Sequence, residues 1–413
     1  MWKNSFDRML RRLIRIGRLT VTFPDGEIRS YGAGAGTGPE HAIEIADTAT
    51  LRALCLSPEL AFGEAYMNAA LRVAGDDLEG LVRLLLRNLR PDAFPAWVRM
   101  AGRARFRLRD WALRNTPLTA RRNVAHHYDL SDRLYALFLD RDMQYSCAYF
   151  SDPGMTLDEA QAAKKAHIAA KLRIEPGMRV LDIGCGWGGM ALTLARDHGA
   201  LVTGVTLSEN QLATARRRAE EEGLEDRVAF RLQDYRDLTE RFDRIVSVGM
   251  LEHVGAPQYD TYFSQVARLL SEDGIALIHT IGRCAPPMAH SPWIHKYIFP
   301  GGYVPSLSEL AGPIERSGLW HMDIEVWRLH YAMTLRHWLA RFDANLAEVR
   351  RLYDDRFIRM WRYYLTVCIL AFEEQRQAVF QFQLAHRRDA VPLTRDYLYH
   401  DTAPPARMRD AAE

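Results

Sequence analysis

The 413-residue chain lacks any apolar run of the about 20 residues that a bilayer-spanning helix needs, and no apolar signal-peptide stretch precedes a small-residue cleavage site. It is poor in cysteine: five residues, none in a C-x-x-C pair, so neither a disulfide framework nor a metal site is expected, and a reducing cytoplasm is the expected compartment. An excess of one charge is also missing, since 54 Lys and Arg against 52 Asp and Glu leave +2. Internal repeats and low-complexity segments are absent. What remains, 48% hydrophobic and 26% charged, is an ordinary globular composition with enough residues for two domains.

The most specific stretch is Val180-Leu-Asp-Ile-Gly-Cys-Gly-Trp-Gly-Gly189. It reads as the end of a buried parallel strand, a glycine turn and the start of a helix at Met190. Glycine is required where backbone approaches a ligand or takes positive φ, and the helix N-terminus beyond offers unpaired N–H groups. The spacing Gly184, Gly186, Gly189 also satisfies the dinucleotide pattern G-x-G-x-x-G. Two features favour S-adenosylmethionine (SAM) instead. Asp182 stands two residues before the first glycine, and the next strand, Leu201–Ser208, ends without the acid that receives an NAD ribose, Glu209 being a poor substitute.

Downstream, strands at 228–232, 242–248 and 274–279 alternate with helical patterns at 209–222 and from about residue 257. This cadence predicts an α/β fold, a doubly wound sheet of the class I SAM-dependent methyltransferase (Rossmann-like) type with added helices. Ligands gather at the carboxyl ends of such strands, where Asp182, Ser208, Asp234, Glu252 and His279 all fall, so one crevice is expected to receive all five.

Before this sheet lies a smaller, mostly helical unit. It has a strand pair at 19–31 around Pro24-Asp-Gly26, a flexible loop tip at 32–38, and helical patterns at 49–55, 57–69 and 76–89. The expected domains are 1–117 and 118–413, the latter ending in aromatic-rich helices over 328–386. Basic residues cluster at Lys3, Arg8, Arg11, Arg12, Arg15 and Arg18, where Phe6, Met9, Leu10, Leu13 and Ile14 recur at helical spacing. A second cluster occupies 99–122, with Arg99, Arg103, Arg105, Arg107, Arg109, Arg114, Arg121 and Arg122. Each reads either as a solvated face docked on its own core or as a surface for anionic lipid. Nucleic acid is disfavoured because interleaved aromatics are sparse.

Nine blocks then carry a family resemblance: HHYDLS at 126–131, QYSCAYF at 144–150, LDIGCGWGG at 181–189, VTLSENQ at 205–211, GMLEHVG at 249–255, HTIGR at 279–283, WIHKYIFPGG at 293–302, LHYAMTLRHW at 329–338 and MWRYYLTVC at 360–368. In this order the sequence resembles the cyclopropane-fatty-acid-phospholipid synthases and their mycolic acid relatives over nearly its whole length. The resemblance implies a transferase that adds a methylene from SAM across a cis double bond of a phospholipid acyl chain at the inner face of the membrane. A branched methyl or methylene product is the alternative outcome, and a homodimer is the candidate assembly. The first block of residues, 1–117, would then associate with lipid or membrane.

The resemblance also implies a bound bicarbonate as base, held by Cys147, Glu252, His279, Tyr331 and the backbone of Ile281, with Cys368 lining the site. A thiolate at Cys368 would find no electrophile in an alkene, so it is not read as a nucleophile. For SAM the resemblance assigns Tyr145, Ser146, the run Asp182, Gly184, Cys185, Gly186, Trp187, Gly188 and Gly189, then Thr206, Leu207, Ser208, Gln211, Gln233, Asp234 and Tyr235. By chemistry, Asp182 suits the amino-acid part, Ser208 and Gln211 the ribose hydroxyls, and Asp234 the adenine amino group.

Overall fold

A computed structural model describes residues 1–32, 38–90, 96–109 and 131–399. Most of the HHYDLS block, the loop tip at 33–37, the 117/118 boundary and Arg114, Arg121 and Arg122 lie outside the described residues.

The N-terminal unit runs α1 (Trp2–Leu13), β1 (Arg18–Thr22), β2 (Ile28–Gly32), β3 (Glu40–Ile45), α2 (Thr48–Leu56), α3 (Pro58–Met67), β4 (Leu71–Val73), α4 (Leu78–Arg87) and α5 (Ala96–Arg107). Its strands form one sheet, ordered β2-β1-β3-β4. The expected hairpin is β1–β2; β3 and β4, which no turn signal flags, complete the sheet. The apolar face of α1 is spent inside this unit: Phe6, Met9, Leu10 and Leu13 are buried with Leu19, Val21, Leu54 and Leu81. The apolar side of the first basic cluster is thus docked on its own core, while Arg8, Arg11, Arg12 and Arg15 are exposed.

The larger unit runs α6 (Asp132–Ala136), α7 (Leu157–Leu172), β5 (Arg179–Ile183), α8 (Gly189–His198), β6 (Leu201–Thr206), α9 (Glu209–Glu221), β7 (Val228–Leu232), β8 (Phe242–Val248), α10 (Tyr259–Leu269) and β9 (Leu270–Arg283). It continues through α11 (Pro292–Tyr297), α12 (Leu307–Arg316), β10 (Trp320–Trp327), α13 (His330–Ala344), α14 (Leu346–Leu352), α15 (Asp355–Glu374) and β11 (Gln377–Ala385). The sheet order is β10-β11-β9-β8-β5-β6-β7. Strands β9-β8-β5-β6-β7 are parallel, as expected, but β11 pairs antiparallel with both β9 and β10. Residues 377–385 are therefore a strand and not the end of a helix. The segment carries the period-2 run Phe380-Gln-Phe-Gln-Leu384, but neither glycine nor proline separates it from the preceding helix, so the strand signal merges into the helical pattern.

The two units are locked together. On α4, Arg83 pairs with Glu373 (2.7 Å) and Glu374 (2.6 Å) of α15, and Arg336 of α13 reaches Glu79 (2.9 Å) and Glu373 (2.8 Å). Helix α3 meets α11 at Gly63, where a Cβ would stand 2.5 Å from the Trp293 indole, so only glycine allows this approach. At the end of α5, Arg109 donates to the Tyr303 hydroxyl (2.9 Å) and pairs with Glu309 (2.9 Å).

Candidate active site

The glycine turn leaves β5 with Gly184 at φ 79° and Gly186 at φ 55°, both in the left-handed region. It is tied to β6 by Gly184 and Cys185 amides that donate to the Val205 carbonyl (2.9 and 3.0 Å). Above it lies a cavity of about 180 Å³ lined by Tyr145, Ser146, Asp182, Gly184, Cys185, Gly186, Trp187, Gly189, Thr206, Leu207, Gln211, Gln233, Asp234 and Tyr235. Of the sixteen positions assigned to the cofactor, Gly188 and Ser208 do not line it. Gly188 faces Phe230 and Ala215, and the Ser208 hydroxyl is turned to cap α9, accepting from the Gln211 amide (3.3 Å).

Two carboxylates in this cavity differ in kind. Asp182 is 2% exposed, and its Oδ2 has no hydrogen-bond partner. Burial pushes its pKa up to about 7, with only the Lys164 charge acting against it. A buried acid left unpaired in a cavity awaits a cation or a donor. That is the chemistry of the ammonium of SAM, so the donor set fits. Asp234, by contrast, is already committed: Arg236 donates to Oδ1 (2.8 Å, through Nε) and to Oδ2 (2.6 Å). It lines the cavity as an ion pair, and Arg236, which the sequence did not flag, lines it too.

Lys164 is a second residue the motif reading missed. Fully buried on α7, it donates to Gln144 Oε1 (2.6 Å) and Ser146 Oγ (2.8 Å), fixing the 143–147 segment that separates two cavities. Desolvation lowers its pKa to about 8.

Tyr145, Ser146, Gly249 and His253 also line a second, much larger cavity of about 1070 Å³. Cys147, Glu252, His279, Ile281, Tyr331 and Cys368 all line it. The five strand-end residues thus do not share one crevice: Asp182 and Asp234 face the smaller cavity, Glu252 and His279 the larger, and Ser208 neither.

Within the larger cavity, Glu252 accepts from the Ile281 amide at 2.5 Å through Oε1, while Oε2 is buried without a partner. The Ile281 N–H is therefore engaged by Glu252 instead of standing free for an anion. Burial raises Glu252 to about 7, so it exchanges a proton near neutral pH. His279 is held far below its ordinary pKa by burial, then by the Lys164 and Lys171 charges, and is neutral. Its Nδ1 lies 3.1 Å from Gln381 Nε2, directly across the β9–β11 pairing. With Gln381 donating, the ring carries its proton on Nε2. Gln381 comes from the strand that the sequence misread, so its support of His279 was not visible beforehand. A protonated carboxyl beside a neutral imidazole donor suits a small oxyanion. Cys368 is pushed up to about 12 by burial and Cys147 is raised further still, so neither is a thiolate.

Aromatic faces surround this end. Tyr145 stacks on Trp338 (5.1 Å, 25°) and meets the Tyr364 hydroxyl at 2.9 Å, while Tyr331 packs against Phe372 (5.1 Å).

Fold and cofactor turn together define a class I SAM-dependent methyltransferase fold. The mycolic acid cyclopropane synthetase family matches residues 116–382, and the chain belongs to it. A domain of unknown function matches residues 5–91. The cyclopropane-fatty-acyl-phospholipid synthase of Escherichia coli (strain K12) is 42% identical over 331 residues, covering 78% of this chain and 82% of its own. The tuberculostearic acid methyltransferase UfaA1 of Mycobacterium tuberculosis (strain ATCC 25618 / H37Rv) is 34% identical over 405 residues, 92% of this chain and 90% of its own. Among solved structures, mycolic acid cyclopropane synthase CmaA1 complexed with SAH and CTAB is 35% identical with a TM-score of 0.61, covering 64% of this chain and 97% of that one.

Proposed function

We propose that this enzyme transfers a methylene group from SAM to the cis double bond of unsaturated acyl chains in membrane phospholipids, closing a cyclopropane ring. One observation carries the reading. The cavity over Asp182 adjoins, through Tyr145, Ser146, Gly249 and His253, a large cavity that holds Glu252 and His279.

SAM, bound there, supplies an electrophilic methyl carbon. Asp182 pairs with its ammonium, and the segment fixed by Lys164 brings the reacting carbons into line; such positioning is worth roughly 7–11 kcal/mol of a barrier. As the alkene electrons form the new C–C bond, the C–S bond breaks and S-adenosylhomocysteine leaves, placing positive charge on the acyl chain. The rings of Tyr145, Tyr331 and Phe372 face that charge and keep water from it. Loss of a proton from the transferred methyl closes the ring. Glu252, His279 and Tyr331 would hold a bicarbonate, which would supply the base in this reading. Glu252 and His279 donate to it from their protonated and neutral forms.

The test is lipid mass spectrometry after incubating wild type and Glu252→Gln with SAM, bicarbonate and unsaturated phospholipid vesicles. Wild type should add one methylene per double bond, and the variant should lose about 10²–10⁴-fold in rate while SAM affinity is kept. Unmodified lipid from SAM-loaded wild type would refute the reading. The relative that matches nearly the whole chain is named a methyltransferase, which favours a second outcome, a methyl- or methylene-branched chain. NMR of the product separates the two, since a methylene branch retains an alkene and a methyl branch has no ring.

A further inference from the structure

The larger cavity does not stop at the catalytic residues. It continues across the boundary between units into the interior of the N-terminal one, where Phe6, Met9, Leu10, Leu13, Leu54 and Leu81 line it. These same residues form that unit's hydrophobic core. Packed interiors hold few voids larger than a water molecule. At about 1070 Å³ this space exceeds even the roughly 300–1,000 Å³ of ordinary small-molecule sites. An apolar-walled cavity of this total size, reaching from the catalytic residues into the N-terminal core, has room for a long hydrocarbon occupant.

The cavity has a polar waist between its two arms. Arg283 Nε and His290 Nε2 are buried there with no hydrogen-bond partner among the described residues. Both residues line the cavity beside Arg105 of α5, which pairs with Glu59 at the start of α3 (3.0 Å). Arg283 stands two residues beyond Ile281 on β9, and alternate residues of a strand share a face. His279, Ile281 and Arg283 therefore run in one row from the catalytic arm to the waist.

We propose that the N-terminal arm is an acyl-chain site: the protein takes a diacyl lipid whole, with the reacting chain at Glu252 and His279 and the second, non-reacting chain inside the N-terminal unit. The ester and phosphate oxygens between the chains lie at the waist, where they provide the partners that Arg283 and His290 lack. This rests on the acyl-phospholipid reading above. It assigns the N-terminal unit a share of the substrate site in place of a purely external membrane adapter.

The test narrows the N-terminal arm and compares two substrates in the same detergent micelles: dioleoyl phosphatidylglycerol and 1-oleoyl lysophosphatidylglycerol, which has no second chain. Leu85→Trp, on the half-buried wall of the arm, and Leu81→Phe, in its core, are each assayed in the full-length protein. The ratio of diacyl to monoacyl turnover should fall by about tenfold or more in both, because only the diacyl lipid must fill the arm. Melting temperature and SAM binding identify a variant that has failed to fold, in which case the other decides. A ratio equal to that of wild type, whether both rates drop or neither does, overturns the proposal. Wild-type protein that binds SAM yet converts neither lipid overturns the underlying reading instead.

Discussion

At the residue scale, Asp182 is the most exacting position in the molecule. Burial raises its pKa from 3.8 to about 7, so the ligand-free fold binds this proton more tightly than the unfolded chain does. The stability that the proton contributes is fully present below pH 4. It is lost as pH rises through about 7, where an unpaired carboxylate must be accommodated. Asp182→Asn should therefore raise the melting temperature of ligand-free protein at pH 8 and change it little at pH 5. The same substitution removes a charged hydrogen-bond partner of the donor's ammonium, which costs about 1.5–3 kcal/mol, or roughly 10- to 100-fold in SAM affinity. Differential scanning fluorimetry and titration calorimetry read the two effects. An unchanged Kd, or a lower melting temperature at pH 8, contradicts this account. Asp182 was legible from the motif because its spacing to Gly184 encodes a strand end. Asp234 was half legible: its position is read correctly, but Arg236 occupies both its oxygens, and an i,i+2 pair in a turn leaves no periodic signal. Ser208 illustrates a real ambiguity, since a serine at a strand end and helix start serves a ligand or a cap with equal chemical ease.

At the element scale, the parallel strands and their helices were readable because each buried strand is bounded by turn residues and followed by a 3.6-residue period. The antiparallel edge was not. Strand β11 follows the long helix α15 with no glycine between them, so its period-2 run Phe380-Gln-Phe-Gln-Leu384 merges into the helical pattern before it. That misreading conceals Gln381 and with it the tautomer of His279. The clamp between units was equally illegible, as it joins charges nearly 300 positions apart. It is a network: Arg83 bridges Glu79, Glu373 and Glu374, and Arg336 doubles the contact to Glu79 and Glu373. Helix α13 carries Tyr331 and α15 carries Cys368, so α4 braces both helices of the catalytic arm. Arg83→Met should leave Glu79 and Glu373 to share Arg336 and Glu374 to rely on the more exposed Arg87, and cost about 1–2 kcal/mol, discounted for partial exposure. Urea unfolding in low salt checks this, and the deficit should shrink in 1 M salt as these charge interactions are screened. A deficit that salt does not touch would assign the loss to packing of the arginine stem.

At the scale of the whole molecule, no helix among the described residues is long and apolar enough to cross a membrane, so the proposed phospholipid substrate would have to be reached from a surface face. The first basic helix offered itself by sequence, yet its apolar stripe is already buried in the N-terminal core, so removing residues 1–18 would strip Phe6, Met9, Leu10 and Leu13 from that core and damage the fold. Helix α5 is different. It leaves Trp97 41% and Met100 60% exposed, with Arg99 and Arg103 exposed beside them. Trp97 and Arg99 also line the large cavity, which places its rim at this helix. An exposed aromatic and a methionine among arginines match the interface between headgroups and acyl chains. A lipid could pass from bilayer to cavity there without its chains crossing water. Neutralising Arg99 and Arg103 to glutamine should weaken cosedimentation with anionic vesicles by about 2 kcal/mol, near thirtyfold, at low salt and by little at high salt. Replacing Trp97 and Met100 by serine should weaken it at both, since burial of apolar surface is not screened. Equal sedimentation of all three proteins, with melting temperatures unchanged, would show that the membrane is met by another face and that the lipid reaches the catalytic arm by a different route.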